Sequence, residues 1–151
     1  MKNLFLIILL VSCLSALAEP KEVPKRTYKI IVKNELSADE NFSLVGRTLI
    51  ENDWLIESKD KDFYTIKTGI KQMYKMRSGS YFLTFAIKEK SISVTGQCSP
   101  DVELDFGGVR TDKTYFKICY KGMNGSIDKD AFIKMAEFTK KLGAEFDFVT
   151  E

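Results

Sequence analysis

Tyr81-Phe82-Leu83-Thr84-Phe85-Ala86-Ile87-Lys88, then Glu89-Lys90, then Ser91-Ile92-Ser93-Val94-Thr95, is the stretch whose pattern fixes the class of fold. Tyr81, Leu83, Phe85 and Ile87 recur at period two, as do Ile92 and Val94, which is the spacing of side chains on one face of a strand. Glu89-Lys90 leaves only a two-residue connection, so the two runs form an antiparallel hairpin. Phe82, Thr84 and Ala86 fall on the other face, and they predict a strand partly covered on both sides.

Working upstream, Phe63 to Thr68 and Trp54 to Glu57 read as paired strands around a polar turn at Lys59 to Asp62. Gly69 to Ser80 reads as a loop or the ragged end of a strand, because Gly79 and polar residues surround Met73 and Met76. Before them, Ser37-Ala38-Asp39-Glu40 is a capping box. Phe42, Val45 and Leu49 follow at helical spacing, and Asn52 or Asp53 ends the helix in a left-handed conformation. Tyr28 to Val32 is rich in β-branched and aromatic residues and predicts a first strand.

Downstream, Val102, Leu104 and Phe106 alternate with acids and predict a strand ended or kinked by Gly107-Gly108. Tyr115 to Tyr120 predicts another. A second helix is expected from Lys129 to Leu142, capped by Asp128 and stopped by Gly143. Its inward stripe is Ala131, Met135, Phe138 and Leu142, widened by Phe132. Phe146 and Phe148 suggest a short final strand. The sum is an α+β domain in which an antiparallel sheet of five to seven strands packs against two helices, in the order strand-helix-strands-helix, a helix-grip or TBP-like layout.

The amino-terminal residues carry the signals of location. Lys2 precedes an unbroken apolar run, Leu4 to Val11, and Ala16-Leu17-Ala18 has the small-x-small form of a signal-peptidase site. Residues 1–18 are therefore expected to be an export signal, cleaved between Ala18 and Glu19. Within the same stretch Leu10-Val11-Ser12-Cys13 resembles a lipobox, in which Cys13 would be lipidated and anchor the chain to a membrane. Residues 19–26, with Pro20 and Pro24, read as a linker, and 27–151 as a single domain. The apolar run is too short for a span, which needs about 20 residues, so no transmembrane segment is expected in the mature chain.

About 130 residues remain after the signal, near the commonest domain size. The net charge of +2 is nearly balanced, with lysines spread through the sequence, which argues against a nucleic-acid footprint. Lys67, Lys71, Lys75 and Arg77, with Tyr74 among them, form one local basic group. It reads as a solvated loop or sheet edge, or else as a patch for anionic lipid or polysaccharide. Histidine is absent from the chain. That removes the commonest general base and metal ligand, and with them any Ser-His-Asp or Cys-His arrangement. No catalytic, cofactor-binding or metal-binding residues are assigned. In an oxidising compartment Cys98 and Cys119 are candidates for a disulfide worth about 3 kcal/mol. The alternative is two unrelated small apolar side chains.

The segment Leu44-Val45-Gly46-Arg47-Thr48-Leu49-Ile50-Glu51-Asn52-Asp53-Trp54-Leu55-Ile56, followed by Asp60-Lys61-Asp62-Phe63-Tyr64-Thr65-Ile66-Lys67-Thr68, resembles a pattern in small exported proteins and lipoproteins of Bacteroidota-type bacteria. Gly107-Gly108 and Lys121 to Ser126 fit the same group, and the layout is similar to helix-grip modules of the BamC type. Members usually have glycine where this chain has Asp53. The resemblance implies an envelope location and a non-enzymatic role, and it supplies no catalytic residues.

Three functions follow as expectations. The first is a binding or accessory module for an envelope protein, lipid or glycan, located in the periplasm or outer envelope. The second is a carrier of an apolar ligand between sheet and second helix, lined by Phe82, Phe85, Phe106, Phe116, Phe132 and Phe138, although aromatics more often simply fill a core. The third is a hydrolase using Asp101, Glu103 and Asp105, since two carboxylates suffice for glycoside hydrolysis. Glu103 and Asp105, however, alternate with apolar residues as on a solvated strand.

Overall fold

The computed structural model describes residues 22–74, 78–101, 105–106, 109–110 and 113–151. The strand expected from Val102 and the glycine pair after it lie largely outside these residues, as do the expected signal, Cys13, Ala18 and Glu19. The chain runs β1 (Thr27–Lys33), α1 (Ala38–Glu51), β2 (Ile56–Asp60), β3 (Thr65–Thr68), β4 (Lys71–Tyr74), β5 (Ser78–Lys88), β6 (Ser91–Pro100), β7 (Asp105–Phe106), β8 (Val109–Arg110), β9 (Phe116–Lys117), α2 (Ile127–Thr139) and β10 (Glu145–Thr150).

The protein is α+β. Its antiparallel sheet has eight strands, one more than the upper bound the sequence suggests, in the order β10-β1-β6-β5-β3-β2. β4 extends the pairing of β5, and β9 that of β6. β7 and β8 form a separate two-stranded ribbon. The β5–β6 hairpin is the spine, paired from Gly79↔Pro100 to Lys88↔Ser91. Lys90 makes its turn with φ of 60°. No helix among the described residues is long and apolar enough to cross a membrane.

Both helices share one core with the sheet. Tyr81, Leu83, Phe85 and Ile87 of β5 and Ile92 and Val94 of β6 meet Phe42, Val45 and Leu49 of α1. Ala131, Phe132, Met135 and Phe138 of α2, with Leu142 beyond it, complete the cluster. These are the period-two and helical stripes expected from the sequence. The opposite face of β5 is covered only at one end. Phe82 is buried and its ring centroid lies 5.4 Å from that of Tyr115, whereas Ala86 is exposed. Gly96 permits this end to close. A Cβ there would stand 2.8 Å from the Phe82 carbonyl oxygen and 2.7 Å from Ile118 Cδ1, far inside ordinary packing distance.

α1 begins as expected. Ser37 Oγ accepts from the Glu40 amide, and the Glu40 carboxylate accepts from the Ser37 amide and hydroxyl. These bonds hold the Glu40 carboxyl below its ordinary pKa. The contribution is therefore present above the unfolded pKa and is lost as pH falls through the folded one. The helix stops where expected, with Asn52 as C-cap and Asp53 at φ of 55°. Asp53 thus occupies the left-handed position at which glycine is commonest.

Several boundaries differ from expectation; β3 starts only at Thr65, β6 runs on to Pro100, and the strand expected over Tyr115 to Tyr120 is cut to Phe116–Lys117. The segment after Gly69 contains β4, whose ladder with β5 is satisfied although its sequence alternates poorly. β2 is shifted to Ile56–Asp60, because Asp60 Oδ1 accepts from the Phe63 amide at 2.9 Å and moves the turn to residues 61–64. α2 starts at Ile127 with Ser126 as N-cap, so Asp128 lies in its first turn. It ends at Thr139 with Lys140 as C-cap, before Gly143. A Cβ on Gly143 would approach Val32 Cγ1 to 2.7 Å, so this glycine serves close packing against β1.

Candidate functional site

Trp54 is the only tryptophan in the chain, and the helix stop puts it where it is. With Asp53 left-handed, the Trp54 amide donates back to the Leu49 carbonyl at 3.0 Å. The indole then enters between the sheet and α2. Its ring lies edge-on to Tyr81 at 5.4 Å and to Phe138 at 5.8 Å. Together with Met73 these side chains form the floor of an open cleft of about 500 Å³ between α2 and β4. That volume suits a ligand of moderate size.

The rim is charged. Asp130, Lys134 and Glu137 project from α2, Lys141 follows it, and Lys71 comes from β4. Lys71 Nζ lies 4.6 Å from the Trp54 ring centroid and donates to the Asn52 carbonyl at 3.2 Å. Lys141 donates to Asn52 Oδ1, and the Asn52 amide nitrogen is itself anchored on the Thr48 carbonyl at 2.8 Å. Lys134 pairs with Glu137 at 2.8 Å. Burial, and secondarily the Glu137 charge, push the Tyr81 hydroxyl up to about 12, so it is a hydrogen-bond donor at any physiological pH. The sequence carries a signal for this site that the core stripe concealed. Asp130, Lys134, Glu137 and Lys141 fall at helical spacing alongside Phe138.

The candidates read from the sequence do not come together. Lys67 and Lys71 are separated by the sheet. Lys67 pairs with Thr84 in register and lies over the Phe82 ring at 4.7 Å, bound to Glu57 at 3.0 Å, whereas Lys71 lies in the cleft. Lys75 and Arg77 are outside the described residues. Asp101 is bound to Lys113 at 2.7 Å; Glu103 is outside the described residues, and Asp105 belongs to the separate ribbon. Of the six phenylalanines, Phe85 and Phe132 fill the core, Phe82 faces the other side of the sheet, and Phe116 is partly exposed. Phe106 lies in the separate ribbon, and among the other five only Phe138 borders the cleft.

The structure does not form a Cys98–Cys119 bridge; both are free, buried thiols. Register explains this. Cys98 pairs with Phe116, and the ladder continues through the Ile118 amide to the Gly96 carbonyl. Cys119 is three positions past the partner of Cys98, so the alternation turns it to the opposite face. Burial pushes the Cys98 thiol up to about 12 and raises that of Cys119. A chain starting at Glu19 is expected to release two reactive thiols when denatured without reductant, and to react slowly when native. A denatured count of zero would restore the bridge. Since both thiols and Tyr81 are raised, the folded state keeps protons that the unfolded chain releases above about pH 9, and stability declines as pH rises through that range.

Among the described residues no three His, Cys, Asp or Glu side chains gather as a metal site. The chain matches no family model, and no curated protein matches it.

Proposed function

We propose that the protein is a non-enzymatic binding module of the cell envelope that receives its partner in the cleft between α2 and β4. One observation carries the choice of site. The single tryptophan, a tyrosine and a phenylalanine floor an open concavity whose rim holds lysines and acids. Such a site favours recognition, since the packed rings give the concavity a fixed apolar floor and the polar rim fixes orientation. The signal-like residues 1–18 support the envelope as the compartment. The resemblance of the Leu44–Thr68 segment to exported proteins supports it as well. The arrangement does not favour a carrier, because the expected lining phenylalanines are distributed through the core and onto both faces of the sheet.

The test is site-specific photocross-linking in cells that export the chain. A benzophenone side chain at Lys134, on the cleft rim, is expected to trap an envelope component. One at Ala86, on the open sheet face, is expected to trap none. Equal trapping from both, or none from Lys134, sinks the choice of site. Mass spectrometry of the recovered chain is expected to show Glu19, or a lipid-bearing Cys13, as its first residue. A chain still beginning at Met1 contradicts the envelope assignment.

A further inference from the structure

We propose that the Asn52 end of this cleft binds a phosphate group through Lys71 and Lys141, with the body of the same ligand lying over Trp54. The inference rests on the cleft being the binding site and adds the chemistry of the ligand.

The two ammonium groups come from distant parts of the chain, β4 and the segment after α2, yet both donate to one residue, Asn52. Asn52 is fixed, as the C-cap of α1 and through its bond to the Thr48 carbonyl. Bringing like charges together is unfavourable unless something neutralises them. Elsewhere on this surface carboxylates do so, as Glu137 does for Lys134, Glu57 for Lys67 and Asp101 for Lys113. The acceptors at Asn52 carry no formal charge, and as the C-cap of α1 they offer only the partial negative charge of a helix end, about half a unit, to two ammonium groups. Among the described residues no carboxylate lies within salt-bridge distance of either lysine. Two point-charge donors at the mouth of a cleft suit a phosphate, which offers several oxygens to ammonium groups arriving from different directions.

The acids of the cleft do not oppose this. Glu137 is engaged by Lys134. Asp130 lies in the first turn of α2, whereas Lys141 lies beyond its carboxyl end. Next to the cationic end the floor is apolar and aromatic, with Trp54 beneath Lys71. A phosphate carried on a sugar, a glycerol or a lipid would thus meet cations at one end and a ring surface at the other. The Tyr81 hydroxyl, which stays protonated, adds a donor on the floor.

Trp54 supplies the readout, because all tryptophan emission arises in the cleft. The mature chain is titrated with glycerol 3-phosphate and with glycerol. In parallel it is titrated with phosphatidylcholine vesicles with and without phosphatidylglycerol. A saturable change in emission is expected with glycerol 3-phosphate and with the vesicles that contain phosphatidylglycerol, and none with glycerol or with phosphatidylcholine alone, the response weakening as salt is raised. A response to glycerol 3-phosphate identifies a soluble phosphate as sufficient; a response to the anionic vesicles alone identifies a lipid headgroup. In K71Q and K141Q the dissociation constant is expected to rise about tenfold each. K71R/K141R is expected to bind close to wild type. An unchanged urea midpoint in the glutamine variants shows that the fold is intact.

The proposal is overturned if neither glycerol 3-phosphate nor the phosphatidylglycerol vesicles change the emission, or if K71Q/K141Q binds like wild type. A neutral glycan that shifts Trp54 equally in wild type and K71Q/K141Q overturns the phosphate chemistry but leaves the cleft as a binding site. Absence of cross-linking from Lys134 in the envelope strikes at that broader reading instead.

Discussion

Replacing Phe85 with alanine is expected to lower the free energy of unfolding by about 3–5 kcal/mol, the largest loss from any single truncation in this chain. Phe85 is fully buried at the centre of the sheet, paired with Val94 on β6 and Ile66 on β3. Its ring also meets Phe138 of α2 edge-on at 5.7 Å. The side chain therefore joins three strands and a helix, and no neighbour can collapse into its place without moving another element. Typical domains have only 5–15 kcal/mol in total, so the variant should be marginal at physiological temperature. Urea unfolding of both chains checks this through the midpoint at constant slope. A loss below about 1.5 kcal/mol would mean that the core repacks around the void, against its tight interlock.

Asn41→Ala is expected to cost about 2–4 kcal/mol, since each buried polar group left unpaired costs about 1–3 kcal/mol. Asn41 is fully buried on the first turn of α1. Its Nδ2 donates to the Lys88 carbonyl at 3.1 Å and to Asn34 Oδ1 at 3.2 Å. Its Oδ1 accepts from Asn34 Nδ2 at 2.7 Å. Around it the Asn34 amide donates to the Lys90 carbonyl, and the Lys90 amide to the Leu36 carbonyl. One side chain thus joins the turn of the β5–β6 hairpin to the start of α1. The companion variant Asn41→Leu fills the volume but leaves the Lys88 carbonyl and Asn34 without this partner. If the leucine variant unfolds at the wild-type midpoint, packing and not the polar network holds the corner.

These two residues mark what a sequence does and does not disclose. Phe85 was legible, because period-two alternation with Leu83 and Ile87 places it on the core face whatever the strand order. The same holds for the capping box at Ser37 and for the left-handed stop at Asp53, where short-range chemistry decides the conformation. Asn41 was not legible, because beside the nearby Asn34 it binds the Lys88 carbonyl, 47 residues away on a turn that only the fold brings near. β4 was hidden for a related reason. Its pairing with Tyr81 and Gly79 is supplied by β5, and its own residues carry little alternation. The cleft lay between these cases. Trp54 reads in the sequence only as the start of a strand, and its neighbours Tyr81, Phe138 and Lys71 come from three other elements. The grouping of Lys67 with Lys71 failed because proximity in sequence ignores which face of a sheet a side chain occupies.

The strand order also carries a consequence for the time course of folding. β1, near the start of the chain, has β6 on one side and β10 on the other, through pairs from Thr27↔Thr150 to Lys33↔Glu145. The hairpin spine and α1 can assemble without β10, but β1 keeps a bare edge until Glu145–Thr150 docks on it, and such edges are sticky. Completion therefore waits for β10, and a chain that lacks it presents an open strand to its neighbours.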